Sequence, residues 1–331
     1  PRQPETEAAT ESPAIRPIGR GPMKKRRKFL VPLDGSERAL LVCRHLASLA
    51  PLRGMQAVLF HVFSRYPEAH YDLPSGVLNP PGSLQRFWRS DQLRQMQDYM
   101  QLAKRLLVSG GFPESAVEVR IQKRIDGIAR DILREARDDY KFVVIRRRGM
   151  GALAGMIVGS VTLKVLQGLT FAPLIIAGRK APGNRLLIGF DGSPGAMHPL
   201  EFAGRLAGPH PEFDICLMHV LRGGSAVRPG LRRTFISEES LAPVRENIMR
   251  RIETARSQLV AQGIAPERVT TRFVSGAVSR AAEIAKYAEA ENYGIIVLGR
   301  RGVSQVRDFF IGRVTNKVVH LARDRSVCIV H

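Results

Sequence analysis

The chain is written twice. Residues 29–36 (FLVPLDGS) match residues 186–193 (LLIGFDGS), and residues 58–63 (VLFHVF) match 216–221 (CLMHVL). Further on, residues 144–165 (VIRRRGMGALAGMIVGSVTLKV) match 297–319 (VLGRRGVSQVRDFFIGRVTNKVV). Each half closes on one more apolar run, 172–177 (APLIIA) and 326–330 (SVCIV). A duplication in the same order restricts the fold to two copies of one unit of about 150 residues, an ordinary domain size. The expected division is a basic tail at 1–27, a first domain at 28–177, a linker at 178–184 (GRKAPGN) and a second domain at 185–331.

Within each unit, apolar runs alternate with helical patterns. Strands are expected at 28–33, 56–63, 117–122, 140–145 and 172–177, then at 185–190, 214–221, 269–274, 294–298 and 326–330. Helices are expected at 37–49, 84–108 and 125–136, with another after Gly159, then at 194–206, 240–262, 279–290 and 314–322. Residues 66–83 and 222–237 read as long loops. Strands separated by helices favour parallel pairing with right-handed crossovers. The expected class is therefore α/β, two repeated doubly wound domains, each a parallel sheet flanked by helices. In such a layer the ligand lies beyond the carboxyl ends of the strands.

Both Asp-Gly-Ser turns, both His-Val strand ends and both late glycine segments fall on that edge. The late segment runs from a strand end through a glycine, Gly149 or Gly302, nine further residues and a second glycine, Gly159 or Gly312, before a helix. Glycine permits close backbone approach, and free amides at a helix start favour an anion, so the pattern suggests a phosphate site. The plainer reading of Asp34 and Asp191 is that they cap turns. The run from Gly149 to Gly155 spells a G-x-G-x-x-x-G string, but it follows a late strand and its counterpart keeps only the first glycine, which argues against a dinucleotide fingerprint.

Composition narrows the partners. Hydrophobic content of 44% with 24% charged residues fits a globular chain, and no apolar run approaches the roughly 20 residues of a membrane span. The first residues hold no apolar signal-like segment, and Cys43, Cys216 and Cys328 lie in apolar periodic segments without C-x-x-C spacing, which together suggest a reducing cytoplasm. His61 and His219 suit packing or loop hydrogen bonding better than metal ligation. The net charge is +21, of which residues 1–28 carry +5, leaving +16 on the repeats. Such a field attracts polyanions.

The DGS after the first strand, the HV ending the second, and G-x-x-G, nine residues, G-[S/T] after the fourth resemble the universal stress protein family in its tandem form. The resemblance spans nearly all of 28–331. It implies a five-stranded parallel sheet per domain and pairing of the last strands, within one chain or in a homodimer. It further implies binding of an adenine nucleotide, ATP with Mg, as a regulatory or signalling module in the cytoplasm. Carried over residue by residue, it points to Asp34, Val62, Gly149, Gly159 and Ser160 in the first half. In the second it points to Asp191, Val220, Gly299, Gly302 and Gly312. The Asp and the backbone of Val then face the adenosine, and the glycine segment faces the phosphates.

Neither half keeps the whole pattern. Arg146 stands where the family has its leading glycine, and Arg313 replaces the Ser or Thr. If that hydroxyl capped the helix, its loss would cost about 0.5–2 kcal/mol. Arg313 is then expected either to fork onto a phosphate or to fold over the site and close it. The neighbouring Arg147, Arg148, Arg300 and Arg301 read either as a solvated basic rim or as phosphate contacts. No nucleophile accompanies an evident general base, so catalysis is limited to slow ATP hydrolysis at most. The alternative is a scaffold whose basic surface holds a nucleic acid, an anionic lipid or a protein. With 6% aromatic residues there are few stacking platforms, so any nucleic-acid contact would be weak and nonspecific.

Overall fold

The apolar runs form ten strands of a single sheet in the computed structural model, which describes residues 26–63, 82–148, 157–208, 210–222, 238–302 and 311–331. The first half comprises β1 (Lys28–Pro32), α1 (Glu37–Ala47), β2 (Gln56–Phe63), α2 (Gly82–Ser109), β3 (Val117–Lys123), α3 (Ile128–Glu135), β4 (Tyr140–Arg146), α4 (Ser160–Gly168) and β5 (Leu174–Ala177). The second repeats it with β6 (Arg185–Gly189), α5 (Met197–Ala207), β7 (Asp214–Arg222), α6 (Glu238–Ala261), β8 (Val269–Ala277), α7 (Arg280–Ala290), β9 (Ile295–Gly299), α8 (Arg313–Leu321) and β10 (Ser326–Val330).

The strand order is β3-β2-β1-β4-β5-β10-β9-β6-β7-β8. Pairing is parallel within each half, and β5 and β10 meet antiparallel, with Cys328 opposite Ile175. Strands β1, β5 and β10 are buried at every residue, as parallel strands covered on both faces must be. One core lies on each face of the sheet, and each draws residues from both halves. Phe142 of β4 meets Phe202 of α5 edge-on at 6.0 Å, so the aromatic packing crosses the junction. Burial raises the Cys43 thiol to about 12 and lifts Cys328 as well, making both inert packing residues.

Two arginines lock the halves. Arg147, just past β4, donates to Val319 O, to Ala322 O at 3.0 Å and to Arg325 O at 3.4 Å, around the carboxyl end of α8. Arg300, just past β9, donates to Leu169 O and Gln167 O, each at 2.8 Å, at the end of α4. Each half thus satisfies the orphan carbonyls at the end of the other's last helix. Both side chains are buried, and burial pulls Arg147 down to about 10. The solvated-rim and phosphate readings are therefore wrong for these two residues.

The third helix starts later than its apolar spacing implies. Ile125 is 64% exposed, because Gly127 turns the chain at φ +129 and the helix opens at Ile128. The buried carboxylate of Asp131 accepts from Ile125 N at 2.9 Å and Asp126 N at 3.1 Å, which fixes the turn. The stretches 66–81 and 223–237, expected as loops, lie outside the described residues.

Candidate functional site

The carboxyl ends of β6, β7 and β9 and the start of α8 enclose a cleft of about 980 Å³. After β6 the chain must turn at once into α5, and Asp191 makes that turn: Oδ1 accepts from Ser193 N at 3.0 Å while Gly192 takes φ +72. After β9, a methyl group at Gly302 would sit 2.5 Å from Asp191 Oδ2, so any side chain there would push the carboxylate from its place. Gly312 N donates to Arg300 O at 2.8 Å, and Thr315 Oγ1 donates to Gly299 O at 2.8 Å. These two bonds tie the first turn of α8 to the end of β9. Val220, buried near the end of β7, has its carbonyl engaged by Arg280 Nε at 3.1 Å.

Asp191, Val220, Gly299, Gly302, Gly312 and Arg313 therefore line one cleft, although up to 122 residues separate them in sequence. Arg313 is exposed in the wall and leaves the cleft open. It also replaces no cap. The capping position is Gly312, as Gly159 is for α4, and neither Arg313 nor Ser160 precedes the helix it was expected to cap. Both are first helical residues, so the exchange of Ser for Arg carries no capping loss. Val244 and Val278, 44% and 66% exposed, give the cleft an apolar wall, and Arg251, held on Gly192 O at 2.7 Å, adds a cation the sequence did not single out.

The first half puts Asp34, Val62, Gly159 and Ser160 at the matching strand ends and helix start, while Gly149 lies outside the described residues. Asp34 Oδ1 accepts from Ser36 N at 3.0 Å and from Ser36 Oγ at 2.7 Å. Arg146 intrudes as its position implied: Nη1 donates to Ser36 Oγ at 3.0 Å, and Tyr99 O–H closes on Ser36 O at 2.9 Å. Burial lowers the pKa of Arg146, with the Asp34 carboxylate acting in the other direction. Thr162 Oγ1 repeats the Thr315 tie, on Arg146 O at 2.7 Å. The two threonines each stand three residues after the second glycine, so the repeat itself marks them.

His61 and His219 hydrogen-bond through Nδ1 to Leu33 O at 2.7 Å and Phe190 O at 2.8 Å, the residues that follow β1 and β6. Burial lowers both below the ordinary 6.5, and burial together with Arg300 takes His331 down to about 4. The unfolded chain therefore binds more protons than the folded one in this window. The contribution of these histidines to stability is full above pH 6.5 and is lost as pH drops toward 4, on the order of 2 kcal/mol after solvent screening of the partly exposed His331. Urea midpoints at pH 7.5 and 5.0 check this; equal values, with the rest of the profile unchanged in His331→Asn, would remove the account. Among the described residues no group of three or more His, Cys, Asp or Glu side chains could hold a metal, and no helix is long and apolar enough to cross a membrane.

Two doubly wound units joined through their last strands, with turns and glycines gathered at the carboxyl edge, define a tandem α/β protein. The Universal stress protein family model matches residues 25–176 and 183–331, and the chain belongs to that family. It is 24% identical over 307 residues to a universal stress protein of Mycolicibacterium smegmatis, covering 89% of this chain and 94% of that one. It is also 24% identical over 144 residues to universal stress protein YxiE of Bacillus subtilis, covering 42% of this chain and 93% of the relative. A universal stress protein from Archaeoglobus fulgidus has the same fold, with a TM-score of 0.60, 17% identity, and 92% and 97% of the two chains covered.

Proposed function

We propose that this chain is a cytoplasmic stress-response module that binds an adenine nucleotide, ATP with Mg, in the second-half cleft and changes its partner contacts accordingly. The observation that carries the reading is the convergence of Asp191, Val220, Gly302, Gly312 and Arg313 on one cleft of about 980 Å³, within reach of a nucleotide's size. Val244 and Val278 offer a face for the base, and Gly302 with the start of α8 offers amides and charge for the phosphates. Mg is usually held by one or two carboxylates together with phosphate oxygens and water, and Asp191 beside Gly302 fits that modest demand. The first half is the silent partner, since Arg146 already lies across its Asp34 turn.

The test is calorimetric titration of the full chain with Mg·ATP, with chromatography of any nucleotide released on denaturation. About one equivalent per chain is expected. An open cleft with Arg313 in its wall favours a clamp over a lid, so Arg313→Ser weakens Mg·ATP by about five- to tenfold. Tighter binding would make Arg313 a lid, and no nucleotide affinity at all would leave the scaffold reading, to be tested by salt-dependent binding of RNA or anionic vesicles.

A further inference from the structure

The cleft is more basic than a triphosphate tail requires. Among the described residues it is lined by six cationic side chains, Arg222, Arg251, Arg280, Arg301, Arg313 and Lys317, against one carboxylate, Asp191. Among the described residues none of the six is in a salt bridge. Like charges gathered in one concavity repel one another and are relieved by an anion of matching shape.

Five of the six fall at two ends, and the sixth, Arg251, is held on Gly192 O at the turn between them. Arg301, Arg313 and Lys317 belong to the segment from β9 through α8, with Arg313 and Lys317 one turn apart on the same helix face. Arg222 ends β7 and Arg280 opens α7, on the far side of β6 in the order β9-β6-β7-β8. Two strand spacings, about 10 Å, separate β9 from β7, with the Asp191 turn between them. A 5′-phosphate chain lying between Gly302 and the start of α8 meets the first group and leaves the second beyond the sugar. Arg280 is anchored by Nε on Val220 O at 3.1 Å, so its guanidinium is held at that far end. The fold does not demand it there, since the repeat opens α3 with Ile128 at the same place.

Building on the nucleotide reading above, we propose that the second-half cleft takes a nucleotide phosphorylated on both sides of its ribose, the second phosphate being held by Arg222 and Arg280. The probes are AMP and adenosine 3′,5′-bisphosphate, titrated into the full chain, with inorganic tripolyphosphate as a competitor. The bisphosphate should bind at least about tenfold tighter than AMP. Arg280→Ala and Arg222→Ala, with Arg280→Gln as a milder variant, should collapse that ratio toward one. Lys317→Ala should weaken both ligands and preserve the ratio. AMP and bisphosphate affinities within about threefold of each other would overturn this inference and leave nucleotide binding standing. Tripolyphosphate displacing the bisphosphate at equal concentration would overturn it too, by showing that charge alone is read. Failure of AMP, ATP and the bisphosphate to bind would remove the nucleotide reading with it.

Discussion

Arg147→Ala should lower the unfolding free energy by about 2–4 kcal/mol, the largest loss expected from any single charged residue described here. The side chain is 7% exposed and serves the carbonyls of Val319, Ala322 and Arg325 at the end of a helix from the other half. Truncation leaves buried acceptors unpaired, each costing about 1–3 kcal/mol, and this is partly offset because the cation no longer has to be desolvated. Arg38→Ala, at an exposed position, is the control and should stay within about 0.5 kcal/mol. Guanidinium unfolding monitored by circular dichroism decides the matter. If the two variants melt alike, the arginine brace contributes nothing and the halves are held by the sheet and the cores alone.

Gly302→Val should abolish measurable nucleotide binding, a loss of at least about a hundredfold or ~2.7 kcal/mol, while leaving the fold intact. The new Cβ would lie 2.5 Å from Asp191 Oδ2, so either the carboxylate or the glycine segment must leave its place. A Cβ at Gly54, by contrast, meets nothing within 4 Å, and Gly54→Ala should bind as the parent chain does. Retained Mg·ATP affinity in Gly302→Val, with an unchanged melting curve, would mean that the Asp191–Gly302 approach has no part in holding the ligand.

The strands were readable because a parallel sheet covered on both faces demands uninterrupted apolar runs, and such runs stand out between helical patterns. The convergence of residues on the second-half cleft was readable for a related reason: the Asp-Gly-Ser turn and the close crossing at Gly302 leave marks in the residues themselves. What stayed hidden depends on partners far along the chain. Arg147 meets Val319 across 172 positions, and nothing local distinguishes it from Arg148, which is exposed. Arginines beside a glycine pattern suggest water or phosphate, and only the fold shows that Arg147 and Arg300 turn inward. The start of α3 misled for a different reason. Ile125 is in step with the apolar spacing, but Asp126-Gly127 turns the chain between it and the helix.

The antiparallel meeting of β5 and β10 gives the molecule two poles. Every strand in one half runs against every strand in the other, so the edge holding Asp34 and Arg146 faces away from the edge holding Asp191 and Gly302. Helix α8 begins at the open cleft and ends under Arg147 at the opposite pole, a span of about 13 Å. A ligand seated at one pole therefore rests on a rod whose other end is gripped beside the occupied turn at the far pole. A protein that read the bound state would need to touch only the Arg147 end of that rod, away from the ligand.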